Sequence, residues 1–194
     1  MLEGIKKLHF VGIGGVGMSA IAEVMLDKGY EISGSDLSES AVVKHLKAKG
    51  ATIYKGHDAL NVEGKEALVL SSAIHQDNPE LVAAKAKGLK LFHRSDILAY
   101  LLNDAKGIAV AGAHGKTTTS SMISVVLEHA KVDPTILIGG FVDYLKGNAK
   151  LGKSDYLVAE ADESDGSFLK FYPKIAVVTN IEDDHMDHYG SMET

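Results

Sequence analysis

Residues 8–17 read LHFVGIGGVG, a short apolar run followed by a glycine-rich turn. The apolar run has the composition of a buried strand, and the amphipathic segment Met18 to Lys28 follows the turn as a predicted helix. The turn matches G-x-G-x-x-G in the strand–turn–helix order that this fingerprint requires. The segment therefore predicts the start of an α/β domain built on a parallel sheet.

The same alternation continues outward from this segment. Further strands are predicted at Glu31–Ser33, Thr52–Tyr54, Ala67–Leu70 and Leu89–Phe92, and further helices at Ala41–Lys49, Pro79–Lys87 and Asp96–Leu102. Ser95 is the predicted N-cap of the last helix. Strands and helices that alternate at this spacing indicate a parallel sheet with helices on its faces, so we expect a Rossmann-like domain over residues 1–105.

A second series begins after the polar stretch Asn103–Gly107. Strands are predicted at Ile108–Ala111, Thr135–Ile138, Tyr156–Ala159 and Ile175–Val178, with a helix at Lys116–Ala130. This pattern predicts a second α/β domain over residues 106–194. Residues 188–194 show no closing helix or strand, and we therefore expect only the first part of that domain.

The glycine turn is a candidate anion site. Glycine lets backbone N–H groups approach a diphosphate, and the helix N-terminus adds a favourable dipole. Asp36 follows the second strand, where a carboxylate can accept a hydrogen bond from a ribose hydroxyl. A tight turn without a ligand is the alternative, and the pattern does not distinguish NAD from a UDP-sugar.

A second glycine loop, AGAHGKTTT at residues 111–119, lies between a predicted buried strand and a predicted helix. Gly115-Lys116-Thr117 is the core of a phosphate-binding loop, in which Lys116 reaches the β- and γ-phosphates and Thr117 ligates Mg²⁺. The loop departs from G-x-x-x-x-G-K-[ST], because Val110 stands where the first glycine is expected. His114 is either a ligand contact or an ordinary loop residue.

Acidic residues follow two later strands. Glu160 comes directly after one strand, and His185 lies in the acidic stretch after another. The carboxyl ends of parallel strands meet at one sheet edge, so both residues are expected near Gly115-Lys116-Thr117. Carboxylates suit Mg²⁺, whereas imidazole is a less usual ligand for it.

The neighbouring side chains are interpreted as solvated acids or surface residues: Asp162, Glu163, Asp183, Asp184 and His188. The remaining histidines show no pairing and are interpreted as structural: His9, His45, His57, His75, His93 and His129.

Composition argues against several classes of protein and kinds of site. The 194 residues carry a net charge of −6, which argues against a general nucleic-acid binder. Cysteine is absent, so disulfides and thiolate metal sites are excluded. No apolar run reaches transmembrane length and the start lacks a signal-peptide pattern, so we expect a cytoplasmic protein without membrane contact.

With these motifs in place, the sequence resembles the Mur ligase family along its whole length. The resemblance rests on residues 12–18, 33–36, 71–74, 78–80, 112–119, 160–165, 179–182 and 184–187. Ala113 replaces a threonine common in the family loop, and His188 lies at a variable position. The resemblance implies a Rossmann-like domain for the UDP-sugar, followed by the first part of a P-loop central domain of the Mur ligase type.

The resemblance also implies an activity. Family members are ATP- and Mg²⁺-dependent amide ligases of peptidoglycan precursor synthesis, in which a substrate carboxylate is activated as an acyl phosphate and an amine then displaces phosphate. The glycine turn favours the family branch that takes UDP-N-acetylmuramate and L-alanine as substrates. Neither nucleic acid nor membrane is an implied partner.

Residue roles follow from the same resemblance. The implied catalytic residues are Lys116, Glu160 and His185, and the implied Mg²⁺ ligands are Thr117, Glu160 and His185. The implied ATP-binding residues are Gly112, Ala113, His114, Gly115, Lys116, Thr117 and Thr118. The implied UDP-sugar residues are Gly12, Gly14, Gly15, Val16, Gly17, Met18, Ser35, Asp36 and Ser72.

Two alternatives remain open. An NAD-dependent dehydrogenase would account for the first domain, but it leaves Gly115-Lys116-Thr117 and Glu160 unexplained. A non-catalytic nucleotide-binding module is the second alternative. Because the family's C-terminal domain has no counterpart in these residues, we expect the chain to bind the UDP-sugar without ligating it.

Overall fold

A computed structural model describes residues 1–164 and 166–183. Two compact units make up the chain, Met1–Ile97 and Leu98–Thr194. The division lies inside a helix, Arg94–Asn103, whereas the sequence analysis sets the domain boundary after Ala105. That boundary stays a prediction.

The first unit contains a five-stranded parallel sheet with the order β3-β2-β1-β4-β5. Its strands are β1 (Lys7–Val11), β2 (Glu31–Asp36), β3 (Thr52–Lys55), β4 (Ala67–Leu70) and β5 (Lys90–His93). Its helices are α1 (Val16–Asp27), α2 (Ala41–Ala48), α3 (Pro79–Ala86) and the start of α4 (Arg94–Asn103). The strand order reverses between β1 and β4, and ligands of open α/β sheets bind at such a point. The predicted α/β fold is confirmed.

Strand β1 lies at the centre of the sheet, and its residues are buried accordingly. Leu8, Phe10 and Val11 have no exposed surface, because β1 pairs with a strand on each side and is covered on both faces. Such continuous apolar runs are typical of central strands in parallel sheets. The edge strands β3 and β5 are only partly buried.

Helix α4 begins differently from the prediction. It starts at Arg94, directly after β5, so Ser95 lies inside the helix and its prediction as the N-cap is wrong. The carboxylate of Asp96 accepts a hydrogen bond from the backbone N of His93 at 2.7 Å. The helix therefore follows the strand with no intervening loop. A side chain that accepts from the backbone N–H three residues earlier forms one half of a capping box.

The second unit contains a sheet whose order, over the described residues, is β10-β6-β9-β7-β8. Its strands are β6 (Lys106–Ala111), β7 (Thr135–Val142), β8 (Gly147–Lys150), β9 (Tyr156–Glu160) and β10 (Ile175–Val178), and α5 (Lys116–His129) follows β6. Strand β8 pairs antiparallel with β7, and the other pairings are parallel. Strand β8 has no sequence signal because Gly147-Asn148-Ala149-Lys150 lacks β-branched and aromatic residues. Across residues 1–164 and 166–183, no helix has the length and apolar character needed to cross a membrane.

Candidate functional site

The glycine turn joins β1 to α1 at the carboxyl edge of the first sheet. Gly12 has a φ of +73°, a left-handed conformation that favours glycine. The backbone N atoms of Gly12 and Ile13 donate to the carbonyl oxygen of Ser35 at 2.9 and 3.0 Å. Helix α1 begins at Val16, and among the described residues no side chain caps it at Gly15. Its first N–H groups are therefore suited to an anion.

Asp36 holds this turn in shape. Its Oδ2 accepts from the backbone N of Gly14 at 2.8 Å, and its Oδ1 accepts from the backbone N and hydroxyl of Ser38 at 3.0 and 3.1 Å. A Cβ on Gly14 would lie 2.7 Å from Oδ2, so only glycine fits there without displacing the carboxylate. The predicted hydrogen bond from Asp36 to a ribose stays a prediction.

The other predicted residues of this site lie at different depths. Val16 is half-exposed at the first turn of α1, whereas the side chain of Met18 is buried, so only its backbone can face a ligand. Gly17 lies against Arg94, whose guanidinium Nη1 would be 3.4 Å from a Cβ at that position. Sequence reasoning missed Arg94, although an arginine directly after a strand end was the available signal. Ser72 contacts Nε2 of His93 through its hydroxyl at 3.2 Å.

A cleft of about 620 Å³ opens beside the turn. Residues of the β1, β2, β3 and β4 connections line it, among them Gly12, Asp36, Leu37, His57, Ala73 and Ile74. Gly12 and Asp36 were predicted here, whereas His57 and His75, which also line the cleft, were not. The available signal was the position of His57 shortly after β3, because all carboxyl ends of a parallel sheet meet at one edge.

A buried polar cluster lies behind this cleft, and we call it the Glu80 cluster. Its members are His9, Ser35, His57, Asn61 and Glu80. Oε1 of Glu80 accepts from Asn61 Nδ2 at 2.7 Å and lies 3.3 Å from His9 Nε2. Oε2 accepts from the Ser35 hydroxyl at 2.6 Å and lies 2.9 Å from His57 Nδ1. The expectation that these histidines have no partner is wrong: His9 and His57 contact Glu80, His45 pairs with Glu23 at 3.0 Å, and His93 contacts Ser72. Their interpretation as structural residues stays a prediction.

The Glu80 carboxyl group is wholly buried, and its lowered pKa favours the ionised form at neutral pH. Burial raises the pKa of Glu80, but the four hydrogen bonds, with that of His9 foremost, outweigh burial and lower the pKa from 4.5 to about 2. Hydrogen bonds to the charged form of a carboxyl group favour that form. The carboxylate also lies in the first turn of α3, where the helix dipole favours a negative charge.

The phosphate loop joins β6 to α5 in the second unit. Gly115 has a φ of +80° and directly precedes the helix, which no side chain caps within the described part of the chain. Gly112, with a φ of +128°, lies so close to Thr179 and Asn180 that a Cβ would collide with them. Both glycines are therefore required by the loop conformation.

Thr179 and Asn180 clamp this loop from the end of β10. The Thr179 hydroxyl donates to the carbonyl oxygen of His114 at 2.6 Å. The Asn180 side chain accepts from the backbone N of His114 at 2.9 Å and donates to its carbonyl oxygen at 3.2 Å. Sequence reasoning assigned these two residues no separate role, although polar residues after an apolar strand were the signal. The His114 ring is mostly exposed and lies 3.5 Å from Glu182.

Lys116 lies between two oxygen acceptors. Its Nζ donates to the carbonyl oxygen of Gly112 at 2.6 Å and to Oε1 of Glu163 at 2.5 Å. The side chains of Lys116 and Glu163 are 20% and 18% exposed, so the ion pair is partly shielded from water. The interpretation of Glu163 as a solvated acid is therefore wrong. Ala113 is half-buried and Thr118 is exposed.

Thr117 and Glu160 meet at the same edge of the second sheet. The Thr117 hydroxyl donates to Oε2 of Glu160 at 3.3 Å. Oε1 of Glu160 accepts from the Ser120 hydroxyl at 3.2 Å and from the backbone N of Gly139 at 3.0 Å. A Cβ on Gly139 would lie 2.7 Å from Oε2 of Glu160, so a side chain at this position of β7 would displace the carboxylate.

Only two of the three predicted metal ligands lie among the described residues. Thr117 and Glu160 are brought together, whereas His185 lies outside the described residues. Within residues 1–164 and 166–183, no three His, Asp or Glu side chains cluster so as to hold a metal ion. The oxygens of Thr117 and Glu160 are nevertheless the type of ligand that Mg²⁺ prefers.

Comparisons with known proteins place both halves of the chain in one family. Residues 7–117 match the Mur ligase family catalytic domain, and residues 110–194 match the Mur ligase middle domain. The UDP-N-acetylmuramate–L-alanine ligase of Dictyoglomus turgidum is 55% identical over 97% of this chain, which spans 40% of that relative's length.

Two crystal structures resemble the fold closely. The UDP-N-acetylmuramate–alanine ligase of Thermotoga maritima superposes with a TM-score of 0.89 at 35% identity, over 95% of this chain and 44% of that one. A UDP-N-acetylmuramate:L-alanyl-γ-D-glutamyl-meso-diaminopimelate ligase from Neisseria meningitides also has a TM-score of 0.89, at 30% identity, over 98% of this chain and 65% of that one. Together with the two strand–glycine loop–helix sites, these matches show that the chain belongs to the Mur ligase family.

Proposed function

We propose that this chain forms the UDP-sugar-binding and phosphate-loop parts of an ATP-dependent ligase that joins L-alanine to UDP-N-acetylmuramate in the cytoplasm. The observation that carries the proposal is the contact of Lys116 with Glu163 and of Thr117 with Glu160. A cation, a hydroxyl and two carboxylates converge on one phosphate loop. The names of the relatives support L-alanine and UDP-N-acetylmuramate as substrates.

Lys116 suits a nucleotide phosphate. Its ammonium group already contacts an anionic oxygen of Glu163, so a phosphate oxygen of ATP would meet the same charge. The N-terminus of α5 adds backbone N–H donors beside it. Charge that builds on phosphoryl oxygens is stabilised by donors held in place beforehand, and this is how phosphate loops accelerate phosphoryl transfer.

Thr117 and Glu160 would hold Mg²⁺ with the nucleotide. Their oxygens lie 3.3 Å apart, and the carboxylate is held by Ser120 and Gly139. A bound Mg²⁺ neutralises phosphate charge and orients the reacting groups. We propose His185 as a third ligand on the family resemblance alone.

The glycine turn and the adjoining cleft would hold the UDP-sugar. The uncapped start of α1 offers N–H groups to the diphosphate, as the Rossmann fingerprint requires. The cleft of about 620 Å³ has the size of a small-molecule site, with Ile74 as an apolar wall and His57 as a polar one. Arg94 adds a cation near Gly17.

Calorimetry with UDP-N-acetylmuramate tests this assignment. We expect saturable binding by the chain and at least about ten-fold weaker binding by Gly14→Val, because the new side chain displaces Asp36 from the turn. Gly147→Ala is the matched control, since a Cβ there meets only a carbonyl oxygen at 3.9 Å. Equal binding by wild type and Gly14→Val would remove the glycine turn from the site.

A further inference from the structure

His57 connects the Glu80 cluster to the cleft. It is the cluster member that both contacts the Glu80 carboxylate and lines the cleft, and its side chain is 19% exposed. Its Nδ1 lies 2.9 Å from Oε2 of Glu80 and 2.9 Å from the Ser35 hydroxyl. Two groups on separate elements, α3 and β2, therefore hold one edge of the ring.

The contact with Glu80 also sets the position of a proton. An ionised carboxylate only accepts hydrogen bonds, so Nδ1 of His57 must carry a hydrogen. Nε2 is then the ring nitrogen left for a ligand, and within the described residues it has no hydrogen-bond partner. In the neutral ring it is an acceptor, and the tautomer is decided by the bond at the other nitrogen.

Glu80 is poorly explained as a core-filling residue. A buried carboxylate costs free energy to desolvate, and apolar side chains of similar size fill such positions at least as well. The donors to Glu80 instead come from four separate segments: β1, β2, the loop after β3 and the 3₁₀ turn Ala59–Val62. This arrangement fixes side-chain orientation.

We propose that Glu80 is a positioning residue for the UDP-sugar site: it fixes the ring orientation and tautomer of His57, so that the cleft offers Nε2 to a hydrogen-bond donor of the nucleotide. The inference rests on the proposed binding of a UDP-sugar in this cleft. Glu80 itself is too deeply buried to contact a ligand, so its effect must pass through His57.

A double-mutant cycle tests this route. The dissociation constant of UDP-N-acetylmuramate is measured for wild type, His57→Ala, Glu80→Gln and the double variant. We expect each single variant to weaken binding about ten-fold, the effect of one lost hydrogen bond, and Glu80→Gln to add less than about two-fold once His57 is absent. Equal effects of Glu80→Gln in both backgrounds would overturn the inference.

Nitrogen NMR of the histidine rings is a second test. If Glu80 only stabilised the fold, replacing it would not change which ring nitrogen of His57 carries the proton. In the wild-type chain we expect a proton on Nδ1 of His57, and in Glu80→Gln a mixture of tautomers, because one acceptor oxygen becomes a donor. A wild-type Nδ1 without a proton overturns the inference even if Glu80→Gln does not fold. The pair of His45 and Glu23, which does not line the cleft, is the matched control, and His45→Ala and Glu23→Gln should leave affinity unchanged.

The two proposals can fail separately. If the wild-type chain shows no binding of UDP-N-acetylmuramate, the proposed function fails and this inference fails with it. If the wild type binds the UDP-sugar but Glu80→Gln leaves both affinity and the His57 tautomer unchanged, only the inference is contradicted.

Discussion

The glycine turn of the first unit and the phosphate loop of the second are built from the same three parts and use charge differently. Each joins a strand to a helix through a loop that contains glycine with a positive φ, and neither helix has a side-chain cap in the described structure. Behind the glycine turn, Glu80 is wholly buried and accepts four hydrogen bonds. At the phosphate loop, Lys116 and Glu163 remain about one-fifth exposed.

The difference predicts unequal effects on the stability of the fold. A wholly buried carboxylate with four donors cannot be removed without leaving those donors unsatisfied, so the loss of Glu80 should destabilise the folded state, besides its proposed effect on the UDP-sugar site through His57. Lys116 is about one-fifth exposed and lies at the start of α5, where a phosphate would bind, so its replacement should mainly lower nucleotide affinity. Four experiments test this contrast.

The largest expected effect is on stability. Glu80→Ala should lower the free energy of unfolding by about 4 kcal/mol, because it leaves the donors of a buried cluster without an acceptor. Urea unfolding measures the change. Glu66→Ala is the control: Glu66 also accepts two backbone hydrogen bonds, from Lys6 and Lys7, but it is exposed and its loss should leave the midpoint nearly unchanged. Equal midpoint shifts would refute the contrast.

Acid should weaken the same cluster. The pKa of Glu80 is lowered from 4.5 to about 2, so its stabilising contribution is fully present above pH 4.5 and is lost as the pH falls towards 2. The loss amounts to up to about 3 kcal/mol. Unfolding measured between about pH 5 and about pH 3 should show the gap between wild type and Glu80→Gln narrowing as pH falls. Parallel losses in the two proteins would contradict the assignment.

Lys116→Ala should act on the ligand. We expect about 100-fold weaker binding of Mg-ATP, because charge-assisted hydrogen bonds to phosphate are lost, with little change in the unfolding midpoint. Lys106→Ala is the control, since Lys106 is an exposed lysine at the opposite end of the same strand, β6. Unchanged affinity in Lys116→Ala would exclude this loop as the nucleotide site.

The smallest expected effect concerns the clamp on the loop. Asn180→Ala should weaken Mg-ATP about five-fold, because His114 loses two side-chain hydrogen bonds. Asn103→Ala removes a comparable pair, to the backbone of Lys170 and Tyr172, and should leave affinity unchanged. Equal effects of the two variants would mean that Asn180 acts only through general stability.

Local patterns sufficed for much of the molecule. The parallel α/β architecture, the glycine turn and Gly115-Lys116-Thr117 were all predictable, because strand, turn and helix preferences are properties of neighbouring residues. Strand β8 was not, since its residues have weak strand preferences and form a strand only by pairing with Ile136, Leu137 and Val142 of β7. The start of α4 depended on a side chain, Asp96, reaching back to His93.

Charged residues that are distant along the chain are paired by the tertiary fold. Lys116 and Glu163 are 47 residues apart, and His9 and Glu80 are 71 apart. No periodicity connects such residues, because their contact depends on strand order and on which loops share a sheet edge. Local sequence patterns therefore locate the two expected phosphate sites, whereas strand order sets which carboxylates and histidines surround them.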